Sequence, residues 1–220
     1  MFPLTITMAK RILLADDHVL MLEGLARMLS SEFEIAGAVR NGRTLLTAAE
    51  HLRPDAVVLD VGMPELNGIE AARRLNKMLP AIKIVFVTQQ LDPAYVHAAF
   101  SAGAKAYVAK QSAGKELIQA IHSALHDHYY VTPLAGQEAA QISQLDSRRN
   151  PAGMFGARLT PRQREVLQLV AEGKTTKQIS VLLKISPKTV EFHRNSLMEE
   201  LGVRTTAELT RYAVSRGIVL

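Results

Sequence analysis

Five short apolar runs, each trailed by a longer amphipathic segment, constrain the first part of this chain more than any other feature. The runs lie near 11–15, 35–39, 55–59, 82–87 and 105–109, and helical periodicity falls near 18–29, 43–52, 67–78, 93–102 and 114–126. Strand runs that are apolar throughout, rather than alternating, fit a parallel sheet covered by helices on both faces. Asn41-Gly42 and Asn67-Gly68 stand at turns or helix starts, and Pro54, Pro80 and Pro93 at breaks.

The residues at the ends of these runs carry the chemistry. Asp16 and Asp17 come after Ile12-Leu13-Leu14-Ala15, Asp60 after Ala56-Val57-Val58-Leu59, Thr88 closes Ile82-Lys83-Ile84-Val85-Phe86-Val87, and Lys110 comes after Ala106-Tyr107-Val108-Ala109. In a parallel sheet all these ends emerge on one edge, where open α/β sheets place their ligands. Clustered carboxylates repel unless a cation joins them, and hard oxygen donors select Mg²⁺ or a similar ion. The reading is a phosphoryl-transfer site with Asp60 as nucleophile. Asp16, Asp17, Asp60 and the Gly62 carbonyl would hold the metal, Lys110 would neutralise the transferred group, and Thr88 would bond one of its oxygens. Taken singly, an Asp-Asp pair can cap a helix, Asp60 can start a turn, Thr88 can cap a helix and Lys110 can be solvated. Four such strand ends together make the site the better explanation.

The second part is different. Residues 128–157 lose the rhythm, carry Pro133, Gly136, Pro151, Gly153 and Gly156, and read as a linker with one short helix near 134–145. From Leu159 four helices are expected. Thr160-Pro161 opens the first, Thr175 to Leu183 form the second, Ser186-Pro187 to about Leu201 the third, and Thr206 to Ser215 the fourth. With the tight Lys184-Ile185-Ser186-Pro187 connection, this matches a helix-turn-helix. On the third helix, Val190, His193, Leu197 and Leu201 share one side, while Lys188, Glu191, Phe192, Asn195 and Glu199 share the other. A phenylalanine beside Lys and Asn suits a face entering the DNA major groove; packing on a neighbouring helix or a second copy is the alternative. Thr175, Thr176 and Lys177 stand where a helix N-terminus meets backbone phosphate, and Lys188, Thr189 and Arg194 add to that surface.

Charge agrees with this division. Residues 10–126 hold 13 Lys and Arg against 12 Asp and Glu, whereas residues 158–220 hold 11 against 6, a net of +5. A basic excess in the smaller part is expected where one end meets a polyanion. Cysteine is absent, which excludes disulfides and thiolate metal sites. No run approaches a membrane span, and Met1-Phe2-Pro3-Leu4-Thr5-Ile6-Thr7 lacks the pattern of a secretory signal, so a soluble cytoplasmic protein is expected, with Met8 as an alternative start.

These residues bring a family into view. Ala15-Asp16-Asp17-His18, Leu59-Asp60-Val61-Gly62-Met63-Pro64, Asn67-Gly68, Thr88, Gly103-Ala104 and Lys110 resemble the receiver domain of two-component response regulators. Leu159-Thr160-Pro161-Arg162, Glu165-Val166-Leu167, Ala171-Glu172-Gly173-Lys174, Lys177-Gln178-Ile179, Ser186-Pro187-Lys188-Thr189-Val190 and His193-Arg194 resemble the LuxR-type helix-turn-helix. In this order the two are similar to the NarL/FixJ subfamily. The resemblance implies a flavodoxin-like receiver with a five-stranded parallel sheet over residues 10–127 and a DNA-binding domain over 158–220, with 1–9 as a tail. It implies phosphorylation of Asp60 by a sensor histidine kinase, Mg²⁺ at the acidic residues, and Thr88 with Tyr107 as switch positions. It also implies promoter DNA and RNA polymerase as partners and a homodimer when phosphorylated or DNA-bound. Turnover would be limited to self-phosphotransfer and slow self-dephosphorylation, with no organic cofactor. Gln163 replaces the usual Glu, Thr175-Thr176 replace the commoner Ser-Asn, and Gly62, Gln89 and Gln90 are less typical near the acceptor. Two rivals remain at this point. One is an aspartyl-phosphate phosphatase, which typically needs an acid at the position of Gly62. The other is a DNA-binding protein whose receiver no longer uses phosphate.

Overall fold

A computed structural model of the protein describes residues 9–133 and 159–219. The expected helix near 134–145, and residues 1–8, lie outside the described residues. The order of elements is β1 (Arg11–Ala15), α1 (Val19–Leu29), β2 (Glu34–Val39), α2 (Gly42–Leu52), β3 (Ala56–Leu59), α3 (Gly68–Met78), β4 (Lys83–Thr88), α4 (Pro93–Ser101), β5 (Ala106–Ala109), α5 (Ala113–Leu125) and β6 (Tyr130–Val131). A short 3₁₀ turn, Lys110–Ser112, joins β5 to α5.

The strands form one parallel sheet in the order β2-β1-β3-β4-β5-β6. Chain direction across the sheet reverses between β1 and β3, which opens a crevice at their carboxyl ends. Side chains alternate between the two faces. Leu13, Val57, Ile84, Phe86 and Tyr107 pack under α2, α3 and α4. Ile12, Leu14, Val58, Val85 and Val108 pack under α1 and α5. Both faces are therefore buried, as the apolar runs require.

The sheet has six strands, which corrects the expected five. Tyr130 and Val131 fall in the stretch read as linker, yet they pair with Ala106 and Tyr107 of β5. The Tyr130 and Thr132 amides donate to the carbonyls of Lys105 and Tyr107 at 3.0 and 2.9 Å, and the buried Thr132 hydroxyl donates to Glu116. These bonds satisfy an edge that β5 would otherwise leave open. A two-residue strand is too short to show a period in sequence.

The remaining helices are α6 (Pro161–Ala171), α7 (Thr176–Leu183), α8 (Pro187–Leu201) and α9 (Thr206–Ser215). They enclose a separate core of Val166, Leu167, Leu169, Ile179, Val190, Leu197 and Leu209. Capping fixes their starts. Thr160 with Gln163, Thr175 with Gln178 and Thr205 with Glu208 each form a reciprocal capping box. Gln163 thus fills the place of the usual Glu, and its amide also donates to Glu200 at 3.0 Å. Lys184, at φ +52°, ends α7 in the left-handed region, and Ser186 caps α8 by accepting from the Thr189 amide. No helix among the described residues is long and apolar enough to cross a membrane.

Candidate functional site

Register puts the acidic residues together. Ala15 pairs with Leu59, so Asp16 and Asp60 leave neighbouring strands side by side. Both are buried. Thr88 and Ala109 are paired at the ends of β4 and β5, and Lys110 lies on the next turn. The Lys110 ammonium, whose side chain is only 6% exposed, lies 2.7 Å from Asp16 Oδ2 and 2.7 Å from Asp60 Oδ2. A cation between two buried carboxylates relieves a repulsion that would otherwise force one to protonate. Burial alone would lower the pKa of Lys110, but its hydrogen bonds to Asp16 and Asp60 outweigh that and hold it above the ordinary lysine value.

Ligand atoms of Asp16, Asp17, His18 and Asp60 lie within 4.8 Å of one another. His18 Nδ1 is 3.0 Å from Asp16 Oδ1 and 2.8 Å from Asp17 Oδ1. The shielded Asp17 Oδ1 nevertheless receives no well-aligned hydrogen bond. A hard oxygen donor set with an orphaned buried oxygen fits a divalent cation such as Mg²⁺. Sequence reasoning gave His18 no place in the site beyond its membership of a motif; its adjacency to two site residues was the available signal.

The other expected residues lie close by, with different engagements. Asp60 Oδ1 accepts from the Val61 amide at 2.7 Å, and half-buried Gly62 stands in the same loop. The buried Thr88 hydroxyl accepts from the Gln90 amide at 3.3 Å rather than joining the carboxylates. Tyr107 is fully buried and its hydroxyl donates to the Gln90 carbonyl at 2.6 Å. Burial first, then the charge of Asp60, pushes its phenol pKa well up. Thr88 and Tyr107 therefore grip the same residue, Gln90, one on each backbone group.

Lys110 yields a pH prediction. Its folded pKa exceeds the unfolded value of about 10.4, so its contribution to stability is complete below that value and is lost as pH rises through the folded pKa. Thermal midpoints from about pH 9 to about pH 12 should fall more steeply for the wild type than for Lys110→Met, whose midpoint starts lower.

Residues 12–122 match the response regulator receiver domain family, and residues 157–213 match the luxR family of bacterial regulatory proteins. The chain is a response regulator. It is 32% identical over 211 residues to the transcriptional regulatory protein MctR of Rhizobium johnstonii, covering 95% of each chain. It is also 32% identical to the response regulator GacA of Pseudomonas aeruginosa, over 95% of this chain and 97% of that one. The RcsB response regulator of Salmonella typhimurium shares the fold, with TM-score 0.63, 24% identity, and coverage of 97% of this chain and 100% of that one. This regulator accordingly belongs among the NarL/FixJ-type transcriptional response regulators, with a receiver and a LuxR-type DNA-binding domain, and not among conventional enzymes.

On its second domain, Lys177, Lys188, Glu191, Phe192 and Asn195 are exposed along α7 and α8, with Phe192 69% accessible. Thr176, Thr189 and Arg194 are half-buried beside them, and the Arg194 guanidinium donates to Thr206. Thr175 is exposed, and its hydroxyl accepts from the Gln178 amide in its cap. A recess of about 180 Å³ lies among Lys174, Thr175, Thr176, Arg194 and Thr206.

One feature of the regulator had no signal in its sequence. Glu165 and Gln168 of α6 are buried although polar, because they meet the receiver. Glu165 is held by Arg43 of α2 at 3.1 Å, by Arg74 of α3 and by Arg162. Reciprocally, the buried Glu70 of α3 accepts from Arg164 of α6 at 2.7 Å and from Arg73 at 2.5 Å.

Proposed function

We propose that a sensor histidine kinase phosphorylates Asp60 and that this controls transcription through the helix-turn-helix. The supporting observation is the group Asp16, Asp60 and Lys110, joined at 2.7 Å at the carboxyl edge of the sheet with Asp17 beside it. A carboxylate oxygen of Asp60 attacks the phosphorus in line; the new O–P bond forms as the bond to the donor's nitrogen breaks, and the donor imidazole leaves with its electron pair. Asp16, Asp17, Asp60 and the Gly62 carbonyl would hold Mg²⁺, which when bound shields the negative charge on the phosphoryl oxygens. Lys110 supplies a fixed positive charge at that same place. Thr88 turns its hydroxyl from the Gln90 amide to a phosphoryl oxygen, and this disturbs the Gln90 carbonyl that Tyr107 holds. Because Tyr107 is already inside, the switch begins from a buried ring rather than ending with one.

The division we adopt is a tail over 1–9, a receiver over 10–127, a linker over 128–157 and a DNA-binding domain over 158–220. The protein acts in the cytoplasm, dimerises when phosphorylated or DNA-bound, and meets promoter DNA and RNA polymerase there. Its own chemistry is limited to self-phosphotransfer and slow self-dephosphorylation. Acetyl phosphate with Mg²⁺, then intact mass, tests the first half of this reading. One stable phosphoryl adduct per chain supports it; multiple turnover without an adduct, or no reaction, contradicts it.

DNA is read by α8, with Glu191, Phe192 and Asn195 near base edges and Lys188 and Arg194 on phosphates; Thr175, Thr176, Lys177 and Thr189 flank the backbone. Replacing Lys188 by Ala should weaken binding to every sequence and reduce the salt slope by about 0.9. Asn195→Ala should instead alter preference at one or two base positions, by about 1–3 kcal/mol. Selection from random duplexes with the full chain measures both. Unchanged affinity in the first and unchanged preference in the second would show that another surface reads DNA.

A further inference from the structure

His18 opens α1 without capping it. Its φ of −86° and ψ of 109° are those of an N-cap, yet its side chain accepts nothing from the first turn of the helix. Ser, Thr, Asp and Asn serve better at such a position, so the helix does not account for the imidazole. The ring turns back over the strand end instead. The His18 amide donates to Asp16 Oδ1 at 2.9 Å, which fixes the residue against the acidic group. Its Nδ1 lies 3.0 Å from that same oxygen and 2.8 Å from Asp17 Oδ1. The rest of the ring meets solvent, with the side chain 65% exposed.

The carboxylate oxygens of the group are divided between partners. Lys110 takes Oδ2 of Asp16 and Oδ2 of Asp60, and Asp60 Oδ1 accepts from the Val61 amide. Oδ1 of Asp16 and Oδ1 of Asp17 stand beside His18. Asp17 Oδ1 is shielded from solvent and receives no well-aligned hydrogen bond, although Nδ1 is 2.8 Å away. A nitrogen and a carboxylate oxygen in contact without a hydrogen bond between them are placed as two donors to one ion are. Bonds of about 2.1 Å set neighbouring ligands of an octahedral shell about 3 Å apart. Nδ1 has that spacing from both oxygens. Imidazole can carry its proton on either nitrogen, and with the proton on Nε2 it is a lone pair that Nδ1 offers beside them.

We propose that His18 Nδ1 is a nitrogen ligand of the acceptor-site cation, and that it raises the site's preference for first-row divalent ions such as Mn²⁺ and Co²⁺ over Mg²⁺. This rests on the reading of Asp16, Asp17 and Asp60 as the carboxylates that hold the cation. Oxygen donors alone suit Mg²⁺, whereas imidazole adds affinity for transition ions, least for Mn²⁺ and more for Co²⁺. The carboxylates serve either kind of ion, and His18 sets the ratio between them.

The test uses the full chain in excess over Mn²⁺. Electron spin-echo modulation of the bound Mn²⁺ detects coupling to a ligated nitrogen, and calorimetry reads the affinities for Mg²⁺ and Co²⁺. The variant is His18→Asn, which keeps a favourable N-cap and an N–H near the carboxylates but has no nitrogen lone pair. Expected are nitrogen coupling in the wild type and none in the variant. The ratio of Co²⁺ to Mg²⁺ affinity should fall about tenfold or more in the variant, with Mg²⁺ affinity held within about twofold. Absence of nitrogen coupling in the wild type overturns the proposal, as does coupling that survives in His18→Asn. An equal fall in both affinities overturns it too, leaving His18 a support for the carboxylates rather than a ligand. If none of the three ions binds, the carboxylate reading and the proposal fall together. Nitrogen coupling in a wild type that forms no adduct with acetyl phosphate would sink the phosphorylation of Asp60 and still support the ligand.

Discussion

Asp60→Asn is expected to reduce adduct formation with acetyl phosphate and Mg²⁺ to background, with the fold intact. Asn keeps one oxygen, so it can hold the bond from the Val61 amide while giving up the one from Lys110, which retains Asp16 at 2.7 Å. What it loses is the anionic nucleophile, so the loss is chemical rather than structural. Asp17→Asn should behave differently. Its carboxylate lies among the metal-ligand candidates but is more than a third exposed, so the fold should tolerate the change. The Mg²⁺ concentration giving half-maximal rate should rise by about tenfold or more, because one unit charge near a cation is worth ~4 kcal/mol at 4 Å even with an effective dielectric of ~20. Intact mass at several Mg²⁺ concentrations separates the two. An adduct on the Asp60→Asn chain would move the acceptor elsewhere.

Gly68→Ala should be the most damaging single methyl in the receiver. A Cβ there would stand 2.0 Å from the Asp60 carbonyl oxygen and 2.9 Å from its carbon, both rigid backbone atoms. Helix α3 must move away from the end of β3, and the Gly68 amide must give up its 2.9 Å bond to the Val61 carbonyl. Overpacking of this kind costs about 1–3 kcal/mol, and the lost bond adds about 1. The comparison is Gly114→Ala in α5, where nothing lies within 4 Å of the added methyl. That change should stabilise, by roughly 0.5–1 kcal/mol, from helix propensity alone. Urea melts of the two variants should shift in opposite directions. Equal shifts would mean that α3 does not lie against the end of β3 as described.

The sheet was legible because apolar runs buried on two faces leave a continuous signal, and the site because its residues stand immediately after those runs. Parallel register then does the assembly: Ala15 opposite Leu59 brings Asp16 to Asp60 without any further information. The helix-turn-helix was legible from its caps, Thr160, Thr175 and Ser186, each placed before a helical run. Strand β6 was not, since Tyr130-Val131 has no period and comes after the rhythm's end. Tyr107 could be read as a switch position only through resemblance; its burial depends on Phe86, 6.0 Å away between ring centres, and on the Gln90 carbonyl, both from other segments. Domain docking was invisible for a related reason. Glu165 and Gln168 sit among Val166, Leu167, Leu169 and Val170, and in a sequence they mark the solvated side of α6. Their partners, Arg43, Arg74, Met63 and Asn67, are about a hundred residues away and are brought opposite only by the complete fold.

If the state of Asp60 governs what the second domain does with DNA, the two must change together in one experiment. Titration of a selected duplex with the full chain, untreated and after acetyl phosphate with Mg²⁺, tests this most directly, with Asp60→Asn carried through the same treatment. Tighter binding, with assembly into a dimer, is expected for the treated wild type alone, and the Asp60→Asn chain should match the untreated protein under both conditions. Equal affinity and equal assembly for wild-type chains that intact mass shows to be phosphorylated and unphosphorylated would contradict that control.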